Sequence, residues 1–300
     1  MSRHSDVMPA RRRSSRSGPR GGVAALALGF LLALGGRAMA QAPGLGIGAE
    51  LVDPHVFRVC ADPRDLPFSN QAQQGFENKI AALLAKQLGR RLGFTWQPQV
   101  FGFLAMTLDA YRCDVVMGVT QGYDQAENTN AYYRSVYSLI FRPGSGFDGI
   151  KSLEDPRLKG KRIGIIAGTP PATILAENGL LDHVHSYELS VNLRYFSPAR
   201  DLAHDVESGK DDVGVLWGPI AGYFASRSGG KLAIAPLLHE SSDGPPMAFS
   251  IVMGVRQGDD AWRRTLDAAI AAEQPEITKI LEAYGVPLLD DRNHLIYAGG

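Results

Sequence analysis

The sequence predicts an α/β protein built from two successive doubly wound units, each a mostly parallel sheet flanked by helices. Three observations carry this. Short apolar runs alternate with amphipathic helical stretches from Val56 onward. Two runs, 114–119 (DVVMGV) and 212–217 (DVGVLW), are apolar throughout after a leading acid, as strands covered on both faces are. The strand–helix order then restarts after Pro143-Gly144-Ser145-Gly146.

Residues 1–40 read as a secretory signal peptide and not as fold. Arg3, Arg11, Arg12, Arg13, Arg16 and Arg20 form a basic n-region, 23–34 is a short apolar stretch, and Ala38-Met39-Ala40 is a small-x-small cleavage site. Spanning a membrane takes about 20 apolar residues, so this stretch makes a poor anchor. The reading places a chain starting near Gln41 in the periplasm, without membrane insertion. Residues 41–54, rich in Gly and Pro, form a flexible lead-in. The whole chain has 31 basic and 31 acidic residues; the leader holds seven Arg and one Asp, which leaves 24 against 30, a formal charge of −6. That balance disfavours nucleic acid and anionic membrane surfaces as partners.

In the first unit, 56–61 (VFRVCA) is a strand candidate, ended by the loop Asp62-Pro63-Arg64-Asp65-Leu66-Pro67, where prolines remove donors and fix φ. Residues 76–88 carry Ile80, Leu83, Leu84 and Leu88 on one helical face and stop at Gly89. A strand over 92–96 and a helix over 103–111, with Leu104, Leu108 and Tyr111 aligned, lead to the strand at 114–119. Residues 132–142 are a longer β-prone run. In the second unit, 161–166 (KRIGII) is a strand, followed by Gly168-Thr169-Pro170-Pro171 and a helix from Thr173. Ser197-Pro198 opens a helix with Leu202 and Val206 inward and Gly209 at its end. Beyond the strand at 212–217, 248–255 is strand-like, and 262–272 and 275–284 read as two helices. Residues 291–300 are a patternless tail. Ligands in such sheets bind beyond the carboxyl ends of the strands, here from Asp62 onward and across 118–123.

Several pieces, weak singly but strong in their order, carry a family resemblance: Arg58-Val59-Cys60-Ala61-Asp62 with Pro67-Phe68, Gly75-Phe76-Glu77, Cys113-Asp114-Val115-Val116-Met117-Gly118, Tyr132-Tyr133-Arg134-Ser135 and Leu158-Lys159-Gly160-Lys161. The chain resembles the type 2 periplasmic solute-binding proteins of the polar amino-acid family, from about Val56 to Leu289. With Leu66-Pro67-Phe68-Ser69-Asn70 and Leu216-Trp217-Gly218-Pro219 added, it is more narrowly similar to the relatives encoded beside PQQ-dependent methanol dehydrogenases, the MxaJ/XoxJ group. The wider resemblance implies two lobes joined by crossing segments near 133–142 and 245–250, with lobe 1 at 55–138 and 249–290, lobe 2 at 139–248, and hinge closure over a ligand. The narrower one implies a non-catalytic accessory factor, with the dehydrogenase or its cytochrome as partner and no cofactor of its own. The other reading is an importer-linked receptor for a small, weakly polar solute.

Amino-acid binders of this fold hold the α-carboxylate with an Arg after the third strand, because a guanidinium fork meets a carboxylate with two charge-assisted bonds. Here that position falls on Gly122 or Gln125, and no Arg lies between Arg112 and Arg134. The position of the Asp that holds the α-ammonium falls on Trp217, and no acid lies between Asp212 and Glu240. A buried zwitterion without partners costs several kcal/mol per charge, so tight α-amino-acid binding is not expected.

The expected cleft residues are Asp62, Phe68, Met117, Gly118, Thr120, Tyr123, Gly168, Thr169 and Trp217. For Met117 and Trp217 an ordinary core position is the alternative, and for Gly168-Thr169 the choice lies between a plain turn and amide donors for an anion. Asp62 and Glu77 could form a catalytic pair as in a dehydratase on this fold, against the plainer reading of caps or solvated acids. The seven histidines show no metal spacing, and His183 and His185 fall on an expected surface loop. For Cys60 and Cys113 an oxidising compartment favours a disulfide. A parallel register that sets Cys60 level with residue 116 opposes it, since Cys113 would lie about 10 Å along the strand.

Overall fold

Strand β1 (Val56–Ala61) pairs in parallel with β4 (Arg91–Trp96) and β5 (Val115–Thr120), and these form the start of a ten-stranded sheet. The computed structural model describes residues 51–188, 197–240 and 243–300; the expected signal peptide and most of the lead-in lie outside them. The short strands β2 (Arg64–Asp65) and β3 (Ser69–Asn70) form a small hairpin in the loop after β1. Helix α1 (Phe76–Gln87) follows, and α2 (Phe103–Met106) and β6 (Glu127–Asn128) flank β5.

Strand β7 (Tyr133–Phe141) joins two half-sheets. Its first part pairs with β12 (Ala248–Val255), which in turn runs antiparallel to β5. From Tyr137 onward β7 pairs instead with β10 (Val213–Trp217) and β11 (Ala233–Pro236). Beyond β10 come β8 (Ile163–Ile166) and β9 (Val184–Tyr187), all three mutually parallel. Helices α3 (Pro170–Glu177), α4 (Pro198–Ser208) and α5 (Gly218–Arg227) belong to this second half, and α6 (Asp260–Ala283) returns to pack on α1. Among the described residues no helix is long and apolar enough to cross a membrane.

Both faces of each half-sheet are covered, as the apolar strands require. One core gathers Phe57, Phe76, Ile80, Leu84, Trp262, Leu266, Ile277 and Leu281. A second, around Leu104, Leu108 and Val116, contains the Cys60–Cys113 pair. In the other half, Leu139, Ile163 and Leu175 fill one face and Leu202, Val206 and Leu216 the other.

The structure departs from the sequence reading at four elements. The helix expected over 103–111 stops at Met106, because the Thr107 hydroxyl donates back to the Phe103 carbonyl at 2.6 Å and Tyr111 turns left-handed at φ +57°; Leu104 and Leu108 stay buried. The helices expected over 262–272 and 275–284 are one, with Pro275 inside it. The proline removes a single backbone bond, while Trp262, Leu266, Ile270, Ile277 and Leu281 on both sides of it bury in one core. His185 lies in β9, not on a loop, and its Nδ1 meets Asp211 Oδ2 at 3.1 Å. The tail forms a strand, β14 (Leu295–Tyr297), on β13 (Leu288–Leu289). Asp290 makes that turn, accepting the amides of Arg292 and His294 on one oxygen.

The cysteines form a disulfide, with Cα atoms 5.5 Å apart. The register is the expected one, Cys60 opposite Val116. The bridge closes because Cys113 is not in the strand: β5 starts at Val115, and the chain before it folds over the sheet face on which Cys60 points.

Candidate functional site

A cavity of about 360 Å³ opens where the half-sheets meet. Its floor comes from the end of β1 and the bulged β5. Val252 pairs with Val119 and Gly254 with Val116, so Met117 and Gly118 face the single residue Met253. Gly118 takes φ +73°, and a Cβ there would lie 2.5 Å from Glu77 Oε1. Only glycine lets the bulge and the Glu77 carboxyl occupy the same corner. Gly75 has a similar constraint one residue before α1. A Cβ there would overlap the Phe68 carbonyl, and it is this close approach that sets Glu77 at the cavity wall. Asn78 fixes the helix start, its Oδ1 accepting from the amides of Gly75 and Asn70.

The roof is aromatic. Tyr137 on β7, Trp217 at the end of β10 and Phe249 on β12 form a continuous wall, with ring centroids 5.3 and 5.7 Å apart. Phe68 and Tyr133 line the same space. A second chamber of about 340 Å³ adjoins, reached past Asp62, Asp65, Gln99, Tyr137 and Trp217, with Arg64, Thr169 and Ile220 on its walls.

Of the residues expected here, Asp62, Phe68, Met117, Gly118, Thr120 and Trp217 line the inner cavity, and Thr169 lines the outer chamber. Tyr123 does not: it is exposed, with its hydroxyl on Gln125 Oε1. The β5 exit turns away from the cavity at Gly122, whose amide is taken by Asn128. Gly168 lines neither chamber. The helix start beside it also lacks donors, because Pro170 and Pro171 carry no N–H, and the Thr169 hydroxyl is turned onto the Ile166 carbonyl. Sequence reasoning missed Asp65, Tyr133, Tyr137 and Phe249 as lining residues.

The carboxylates divide by environment. Asp62 is a loop cap: one oxygen accepts the Arg64 amide at 2.7 Å and the other the Gln99 amide at 2.6 Å. The Asp65 carboxyl accepts no hydrogen bond and has no ion pair among the described residues; burial by the surrounding walls, then the Asp62 charge, push it up to about 7. Glu77 is buried, with one long bond of 3.3 Å from the Tyr132 hydroxyl. Burial first, then the Asp65 charge, raise it to about 8, against the pull of that hydroxyl. A folded-state carboxyl raised above its ordinary 4.5 favours folding at low pH, and that advantage fades as pH rises toward 8. The E77Q variant is expected to lose this dependence, up to about 1.4 kcal/mol per pH unit within that window. Urea unfolding at pH 5 and pH 8 reads it, and equal slopes in both proteins would contradict it.

No Arg, Lys or His lines the inner cavity among the described residues. Gly122 and Gln125 lie on the exposed side of the β5 exit turn. An α-amino carboxylate would therefore meet acids and no guanidinium. Titration calorimetry across the common amino acids is expected to show no sub-micromolar binding.

Elsewhere, His185, Asp205 and Asp211 could in principle hold a cation. The Tyr187 hydroxyl already contacts Asp205 at 2.6 Å and Asp211 at 2.8 Å, and Lys210 contacts Asp205 at 2.6 Å. The group is a satisfied hydrogen-bond network.

The chain is 34% identical over 285 residues to Protein MoxJ of Methylorubrum extorquens, covering 89% of this chain and 94% of that one. It is 28% identical over 253 residues to Protein MoxJ of Paracoccus denitrificans, covering 80% and 91%. Among solved structures, the periplasmic binding protein XoxJ from Methylobacterium extorquens AM1 superposes with a TM-score of 0.67 at 39% identity, over 78% of this chain and all of that one. No protein-family model matches the chain.

Proposed function

Because the chain belongs to the MoxJ family of periplasmic-binding-protein-like proteins, we propose that it is an exported, non-catalytic accessory factor of a PQQ-dependent methanol dehydrogenase. The observation that carries this reading is a retained cleft without the amino-acid anchors: the fold of a receptor persists, and its usual cargo has no grip. A catalytic pair is disfavoured by the same geometry. The Asp62 carboxyl is spent on two backbone amides, and Glu77 is packed against Gly118 and bonded by the Tyr132 hydroxyl. The surface proposed to meet the dehydrogenase lies in the segment whose Gln99 and Phe103 line the cavity: Phe101 is fully exposed there, and Val100 and Met106 are exposed as well. Exposed aromatic and aliphatic side chains grouped this way mark protein contacts more often than isolated ones do.

The test is co-purification with, and rate enhancement of, a calcium- or lanthanide-dependent methanol dehydrogenase. The mature chain is expected to raise turnover, and F101A to weaken the effect at least threefold without changing the fold. Absence of any effect, together with a tight small-molecule ligand, would favour the importer-receptor reading, for which the enclosed cavity itself argues.

A further inference from the structure

We infer that the inner cavity is a binding site for a small organic ammonium ion bearing no carboxylate. The inference does not depend on the dehydrogenase reading. It rests on the walls. Tyr137, Trp217 and Phe249 pack edge-to-face on one another and line the cavity, and a cation is attracted to aromatic faces most strongly where it is desolvated. Lining the same cavity are the partly buried Asp65, whose carboxyl has no hydrogen bond or ion pair among the described residues, and Glu77, more than nine-tenths buried, whose second oxygen accepts nothing among them. Buried acids are normally paired or hydrogen-bonded, so two under-satisfied ones on one cavity leave room for a counter-charge. The size, about 360 Å³, lies in the range of small-ligand sites.

The same walls exclude other ligand classes. An anion meets Asp62, Asp65 and Glu77, with no Arg, Lys or His lining the inner cavity among the described residues. A zwitterion satisfies the acids at one end and is repelled at the other. A neutral alcohol fills the aromatic space and leaves the acids as they were. An ammonium ion supplies what the acids lack: Glu77 gives up its proton to solvent, and the resulting carboxylate pairs with the ligand. The groups acting on Glu77 are Asp65 from the loop after β1, with Asp62 lining the same cavity, and the hydroxyls of Tyr132, just before β7, and Tyr133 at its start. Arg64 stands at the outer chamber, away from the inner wall.

The experiment is titration calorimetry of the chain with n-butylammonium and choline, beside 1-butanol and butyrate as neutral and anionic counterparts. At least one cation is expected to bind one-to-one. Its affinity should rise at least tenfold from pH 6 to pH 8, and its heat should vary with buffer ionisation enthalpy because a proton is released. D65N and E77Q should each weaken binding at least tenfold while keeping a cooperative melting transition, since each replaces a carboxyl by an amide of nearly the same shape. No cation heat at millimolar ligand, 1-butanol binding as tightly as n-butylammonium, or binding unchanged in both variants would overturn the assignment.

Discussion

Replacing Asp114 by alanine is expected to lower the unfolding free energy by about 3–5 kcal/mol, the usual cost of leaving buried charge unpaired. Asp114 is fully buried at the start of β5. Its Oδ1 receives Arg58 at 2.6 Å and Arg256 at 2.8 Å, and its Oδ2 receives Arg58 Nε at 2.7 Å and the Asp53 amide at 3.2 Å. Arg256 is itself buried and shares its charge with Asp259 at 2.8 Å. Alanine strands one partly exposed and one enclosed guanidinium, and only the second has another acid. D114N keeps the acceptor geometry on one oxygen and should lose less. Urea denaturation of the three proteins at pH 7 reads the difference; a loss under 1 kcal/mol for D114A would show that the network contributes position and not stability.

Removing the disulfide should cost a similar amount, by a different route. Cys60 and Cys113 are separated by 53 residues, and closing a loop of that length in the unfolded chain is worth about 4 kcal/mol in the chain-entropy account. Both positions are buried among Leu104, Leu108 and Val116, so a C60A/C113A protein keeps most of its folded contacts. The loss then falls on the unfolded state. The denaturation midpoint should drop while the fold, by circular dichroism, stays the same. Because Asp114 is adjacent to the bridge, D114A combined with the cysteine variant should be non-additive.

The strands and α1 of the first half are legible in the sequence because their signals are local: apolar runs, a Gly-terminated amphipathic stretch, prolines in the loop. The register of β1 on β5 is legible too. What local pattern cannot show is the path of the chain before a strand: Cys113 lies outside the strand expected at 114–119 as it does outside β5, but the turn that carries it to within 5.5 Å of Cys60 is set by non-local packing. The long α6 hides in the same way. Pro275 is a local signal for a break, and the burial that overrides it comes from α1 and from strands far away in sequence.

The cleft divides similarly. Trp217, Met117 and Gly118 are readable as strand ends. Tyr137 and Phe249 are not, because they lie inside β7 and β12, and their part in the cavity follows from which half-sheet each strand joins. Asp65 shares a loop with Asp62, and nothing in the sequence says which acid caps the turn and which faces the cavity. Glu77 is visible as a motif residue, but its burial depends on Gly118 leaving space directly beside it, a non-local match between α1 and β5.

Strand β12 belongs to the first half-sheet, yet the ribosome makes it only after every strand of the second. The first core also waits for α6, which supplies Trp262, Leu266, Ile277 and Leu281. A nascent chain carrying only β1 to β7 therefore has an open sheet edge and half a core, and pairing across such sequence distances is slow. Under the export proposed above, this delay would keep the emerging polypeptide threadable: the order in which its strands are made works against premature folding.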